Sequence, residues 1–148
     1  MSEESACIFC AITDGHGTAS IVKRGELATA FMDIHPMVPG HTLVIPNSHS
    51  DGVSKVNDKD GGAVFSMARR VATALKASDI RCEGTNLIIA DGRVAGQTVF
   101  HTHMHVIPRY RGDDFPMRLD PALRHAPTRE TLDEQAAAIA GLLEHEPN

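Results

Sequence analysis

The chain of 148 residues has no tryptophan and one tyrosine, and aromatic residues make up 4% of it. It also lacks any apolar run near the roughly 18 residues of a membrane span, which excludes an ordinary helical membrane segment. It lacks a basic excess. The net charge is −5 with histidine neutral, so no global positive field points to nucleic acid. It has three cysteines, an odd number that argues against a disulfide framework. The start, Met1-Ser2-Glu3-Glu4-Ser5, lacks the basic-then-apolar pattern of a signal peptide, so the expected location is cytoplasmic. Against this background the nine histidines stand out.

The apolar content of 42% is enough for one core, and the expectation is a single domain over 1–148. Ile21–Lys23 and Leu27–Phe31 read as a hairpin around Arg24-Gly25-Glu26. Asp33–Gly40 is a loop, and Thr42–Ile45 is a buried strand stopped by Pro46. Between Asp58 and Ser78, the residues Val64, Met67, Ala68, Val71 and Leu75 recur at helical spacing. Asn86–Ala90 reads as another strand, followed by the Asp91–Gly96 turn. Residues 110–128, with Pro116, Pro121 and Pro127, read as an extended surface segment. A last helix spans 131–145, opened by a Thr131/Glu134 capping box with Leu132, Ala136, Ile139 and Leu143 on one face. The fold class is α+β: an antiparallel sheet with one long and one or two shorter helices packed on one side.

Residues 99–108, VFHTHMHVIP, decide the chemistry. Read as a strand, they place His101, His103 and His105 on one face, about 6.6–7 Å apart along the chain. Folding does not call for three imidazoles in a row. One reading is a metal centre using all three, although Val106-Ile107 supplies no acidic ligand. The other is covalent phosphorus chemistry, because a neutral imidazole attacks phosphorus without prior deprotonation. The turn just before, Asp91-Gly92-Arg93-Val94-Ala95-Gly96-Gln97-Thr98, supports the second reading. Gly96 lets backbone N–H groups approach an anion, and Gln97 and Thr98 add neutral donors.

The run from Gly96 to Val106 resembles the His-x-His-x-His signature of the histidine triad family. Phe31-Met32-Asp33-Ile34-His35-Pro36-Met37-Val38-Pro39-Gly40-His41-Thr42-Leu43-Val44-Ile45-Pro46 is similar to the family's other diagnostic stretch. The resemblance covers Cys7 to Arg109. It implies a nucleotide-processing fold in which His103 is the nucleophile and His105 contacts phosphate oxygens and assists proton transfer. His41 would face the leaving group, and Asp33 would accept hydrogen bonds from ribose hydroxyls. Gly96, Gln97 and Thr98 would hold phosphates. Ile8, Phe9, Ile12, Phe31 and Ile34 would wall the base pocket, or, taken one by one, simply be core. The chain departs from many members at Ala90, where they carry Asn, and His35 stands at a variable position.

Cys7-Ile8-Phe9-Cys10 is a Cys-x-x-Cys pair, by itself either redox-active or two small buried hydrophobes. With His49 and His101 it makes a Cys₂His₂ set suited to tetrahedral zinc. One branch of the similar proteins holds a structural zinc in this arrangement. The expected cofactor is therefore structural Zn²⁺, with no organic cofactor. Cys82 matches nothing. The implied activity is hydrolysis of a purine nucleoside phosphoramidate or a (di)nucleoside polyphosphate through a nucleotidyl-histidine. The alternatives are a nucleotidylyltransferase or phosphorylase using the same intermediate, the similar transferases tending to have Gln in place of His105, and a zinc-stabilised nucleotide-binding protein without significant turnover. A purine nucleotide is the expected partner, with no nucleic acid and no membrane. The resemblance also implies a homodimer.

Overall fold

Short β-rich runs punctuated by Gly and Pro build the sheet. In a computed structural model, which describes residues 7–115 and 126–143, the strands are β1 (Ile21–Arg24), β2 (Ala28–Met32), β3 (Thr42–Pro46), β4 (Gly84–Ile89) and β5 (Met104–Arg109). They form one five-stranded sheet in the order β1-β2-β3-β5-β4. Every neighbouring pair is antiparallel. The helices are α1 (Ile8–Thr13), α2 (Asp58–Ala77) and α3 (Arg129–Leu143). The chain divides into two compact units, Met1–Asp113 and Asp114–Asn148. None of the helices among the described residues is long and apolar enough to cross a membrane.

Period-two alternation sends side chains to opposite faces of the sheet. Ala28, Ala30, Val44 and Val106 meet the α2 stripe of Val64, Met67, Ala68, Val71 and Leu75 in one core. Phe31, Leu43 and Ile45 meet Phe9 and Ile12 of α1 in a second. Helices α1 and α2 therefore cover opposite faces rather than one, because Ile8–Thr13 forms a helix whose apolar residues have their own side of the sheet. The α2 stripe is the one that the sequence spacing predicts. Asn57 caps α2 by accepting from the Asp60 N–H at 2.9 Å. Asp60 is itself buried, and its Oδ2 accepts from Ser48 Oγ at 2.5 Å and Asn57 Nδ2 at 2.9 Å.

The histidine run corrects the sequence reading. Its alternation predicts one strand from Val99, yet β5 begins at Met104, so of the three imidazoles only His105 sits in the sheet. The ladder stops because β3 pairs with β5 only from Thr42↔Val106 to Val44↔Met104. Beyond that, Pro46 has no N–H to offer. The Thr102 N–H bonds instead to Ser50 O at 2.6 Å, and Thr102 Oγ1 bonds to the same carbonyl at 3.1 Å.

Downstream, Tyr110–Asp113 forms a hydrogen-bonded turn with Gly112 at φ 86°, so the segment expected to be extended begins folded back. Its stretch 116–125 lies outside the described residues. Thr128, not Thr131, caps α3: its Oγ1 accepts from the Thr131 N–H at 3.2 Å. The helix accordingly starts two residues earlier than expected, and 144–145 lie outside the described residues.

Replacing Asn57 by Ala removes the α2 cap and one of the bonds that satisfy buried Asp60. A loss of about 1–2 kcal/mol is expected, read as a lower urea midpoint at unchanged slope, with Asn57→Ser recovering part of it.

Candidate functional site

The protonation pattern of the histidines follows from what each ring nitrogen faces. A carbonyl only accepts and a backbone N–H only donates. His103 Nδ1 lies 2.7 Å from His101 O, so Nδ1 carries the proton and Nε2 keeps its lone pair. His41 Nδ1 accepts from the Met37 N–H at 3.1 Å, so the proton of His41 is on Nε2. That proton is donated to His105 Nδ1, 2.9 Å away. His105 in turn carries its own proton on Nε2. The site thus presents a nucleophilic nitrogen on His103 and a donor N–H on His105, with the two rings 4.9 Å apart. This is closer than an ideal strand spacing, because His103 precedes the strand.

His103 and His105 line a cavity of about 490 Å³, within the range of a small-ligand site. Ile8, Phe9, Ile12, Phe31, Asp33, Ile34 and Thr98 line it too. Met32, Leu43, Val99 and the Gly17–Ala19 loop join them, and only the folded path of that loop reveals its part. Phe9 stands edge-on to Phe31 and to His103, each at 5.3 Å between centroids. Asp33 Oδ1 accepts from the His35 N–H at 2.8 Å, and Oδ2 lies 3.5 Å from His41 Nε2. His41, Gly96 and Gln97 do not line the cavity. His41 is 1% exposed and stands behind His105, so it positions that ring rather than facing a leaving group. Gln97 is 4% exposed, and its amide is spent on the chain itself. Its Oε1 accepts from the Gly92 N–H, and its Nε2 donates to Asp51 O and Val99 O. It braces the turn and has no donor left for a phosphate. Gly96 holds φ 94°, the left-handed conformation that closes this turn. A second apolar cavity, between α2 and the β1–β2 side, is lined by no histidine, cysteine or carboxylate.

Cys7, Cys10, His49 and His101 converge, one ligand atom from each, all within 4.8 Å of one another. His101 Nε2 donates to Pro46 O at 2.8 Å, which leaves its Nδ1 lone pair facing Cys7 Sγ at 3.6 Å and Cys10 Sγ at 3.5 Å. His49 Nδ1 lies 3.3 Å from Cys10 Sγ. A tetrahedral zinc ion with ordinary Zn–S and Zn–N bonds has S···N edges of about 3.6 Å, so this donor set fits one. Asp33, His41 and His105 also converge. They do not fit, because the Met37 N–H holds the proton of His41 on the nitrogen that would have to bind the ion.

The HIT domain profile matches residues 15–112, about two thirds of the chain. The chain belongs to the HIT family. An uncharacterised HIT-like protein of Borreliella burgdorferi is 42% identical over 110 residues, which are 74% of this chain and 79% of that protein. A HIT family protein from Bacillus anthracis has a crystal structure that superposes with a TM-score of 0.82 at 38% identity, covering 91% of this chain and 95% of that one. A zinc-bound histidine triad family protein from Mycobacterium smegmatis superposes with a TM-score of 0.73 at 35% identity, covering 97% and 99%.

Burial sets the charge state of this HIT site. It lowers His105 from 6.5 to about 4, helped by His103 and His41 and opposed by Asp33. Burial also lowers His41, against the pull of Asp33. Both rings are neutral at pH 7. An unfolded chain takes up protons on these residues near pH 6.5, whereas native His105 resists until about 4 and native His41 is also held below 6.5. Stability is therefore expected to be complete above pH 6.5 and to fall as pH drops toward 4. The measurement is the urea midpoint across that window, alongside an NMR titration of His105 with a midpoint near 4. His105→Gln is expected to flatten part of the slope.

Proposed function

We propose that this HIT protein is a nucleotide hydrolase that works through a covalent nucleotidyl-histidine. The observation that carries this reading is the bond from His103 Nδ1–H to His101 O, which leaves Nε2 as an unprotonated nucleophile on the cavity wall. A nucleoside seats its base against Phe9, Ile12 and Phe31, and its ribose hydroxyls donate to Asp33, an acceptor at the cavity rim. The α-phosphorus then faces His103. The Nε2 lone pair forms the N–P bond as the bond to the leaving group breaks, and the departing atom keeps the electron pair. His105 Nε2–H and the exposed hydroxyl of Thr98 donate to the phosphoryl oxygens, where negative charge grows. A water then attacks phosphorus, the N–P bond breaks, and the nucleoside monophosphate leaves with His103 restored. The water's proton is released to solvent.

Cys7, Cys10, His49 and His101 would hold a structural zinc. With four protein ligands the ion has no open position, so the chemistry it supplies is that of a staple between α1 and the loop after β3. The M. smegmatis relative supports this reading. His101 would then be a ligand while its carbonyl accepts from His103 Nδ1–H, so the staple would also hold the His103 contact in register.

The adenosine 5′-monophosphate 4-nitrophenyl ester tests the mechanism. Wild type is expected to release a burst of nitrophenolate and to carry an adenylyl group on His103, seen by mass spectrometry after an early quench. His103→Ala is expected to lose turnover by at least about a thousandfold while still binding AMP. Binding without burst, adduct or AMP release would leave a nucleotide-binding protein in place of an enzyme. Elemental analysis is expected to find one zinc per chain, absent in Cys10→Ser, and chelation is expected to lower the melting temperature.

A further inference from the structure

The cavity on the α2 face of the sheet has no part in the chemistry of the histidines. Its volume is about 390 Å³, within the range of a small-ligand site. Val22, Met32, Met67, Val71, Leu75 and Ile80 give it an apolar wall with no aromatic ring. Val22 and Ile80 are 47% and 37% exposed, so the fold leaves apolar surface uncovered there. The two hydroxyls of the wall are spent on the chain itself. Thr42 Oγ1 donates to Gly40 O at 2.9 Å, and Ser78 Oγ donates to Leu75 O at 2.8 Å. The remaining polar side chains are two cations, Lys23 on β1 and Arg70 on α2. Neither charged head makes an ion pair or hydrogen bond among the described residues. No carboxylate lines the cavity to cancel them.

We infer that this cavity is a second binding site, for a free medium-chain carboxylate. The alkyl chain lies against Met67, Val71 and Leu75, and the carboxylate meets Arg70 and Lys23. Each part of the ligand follows from the wall. Uncancelled positive charge excludes a cationic ligand. Apolar surface beside that charge favours an amphiphile over a bare inorganic anion. A nucleotide base needs edge partners or a stacking ring, and this wall has neither to give. The Arg70 fork can take both oxygens of a carboxylate, while Lys23 adds a point charge. Met32 and Met67 are unbranched and adapt to a flexible chain. A lipid surface calls for a larger basic cluster than two residues, so the free acid is the better match. The site is separate from the one that holds the nucleotide. Met32, at the end of β2, is the one residue that both walls share. The inference therefore stands whether or not the histidines turn over a nucleotide.

The test is calorimetric titration of the full chain with decanoate below its micelle concentration, beside decanol and decyltrimethylammonium. Decanoate is expected to fill one site per chain. Each methylene removed, from decanoate to octanoate, is expected to weaken binding about two- to fourfold. Arg70→Gln is expected to weaken decanoate about tenfold and decanol less than about twofold, and Arg70→Lys to restore part of the loss. Ala74→Phe, which fills the cavity from an exposed position on α2, is expected to weaken both ligands. The Met67 and Val71 methyl signals are expected to shift on addition of decanoate, and saturating AMP to leave its affinity unchanged. The absence of saturable decanoate binding would overturn the site. So would tighter binding of the cationic amphiphile, an equal effect of Arg70→Gln on decanoate and decanol, or indifference to Ala74→Phe. Competition by AMP would put the acid in the histidine cavity, and binding that weakens as protein concentration rises would put a second copy of the chain in this one. Either result removes the proposal.

Discussion

The contact between the His101 carbonyl and the His103 Nδ1–H is the constraint on which the site depends. At 2.7 Å it decides which nitrogen of His103 is bare. It can do so only because His101 is itself immobile. That residue is 0% exposed, its Nε2 is tied to Pro46 O, and its Nδ1 faces two thiols. Phe9 packs edge-on against both rings, at 6.0 Å from His101 and 5.3 Å from His103, so α1 touches both histidines at once. The short N-terminal helix is therefore part of the site and not an appendage to it.

A second chain of bonds runs in parallel. The Met37 N–H assigns the proton of His41, and His41 assigns that of His105. Backbone groups thus fix the tautomers of all three site histidines, through the loop before β3 and the segment before β5. This division of labour explains why the His41 set is not a metal site while the His101 set suits one. Each cluster contains two histidines, beside Asp33 in one and beside Cys7 and Cys10 in the other. A main-chain donor stands behind the His41 ring, and a main-chain acceptor stands behind the His101 ring.

Much of the architecture is legible in local pattern. The α2 stripe from Val64 to Leu75 buries as its spacing predicts, and the hairpin around Gly25 forms where the turn signal lies. The pocket residues Phe9, Phe31 and Asp33 and the Cys₂His₂ set also come together. Three features escape the sequence. The strand of the histidines starts late, because its partner β3 runs out at Pro46, a fact about pairing and not about residues 99–103. Gln97 looks like a phosphate donor in sequence, yet its partners Asp51 and Val99 consume it. Nor does any periodicity disclose that Met32 borders two cavities.

By itself the sequence determined the kind of protein this is. The alternating histidines, the Cys-x-x-Cys pair and the helical stripe are properties of order along the chain, and period-two and period-3.6 geometry carries them into the fold. Only the tertiary structure decided what each histidine does. A ring nitrogen's role depends on the one group within hydrogen-bonding distance of it. For His101, His103 and His41 those groups are the carbonyl of Pro46, the carbonyl of His101 and the N–H of Met37. The His101–Pro46 contact spans 55 positions and the His41–His105 contact 64, separations over which a local pattern says nothing about distance.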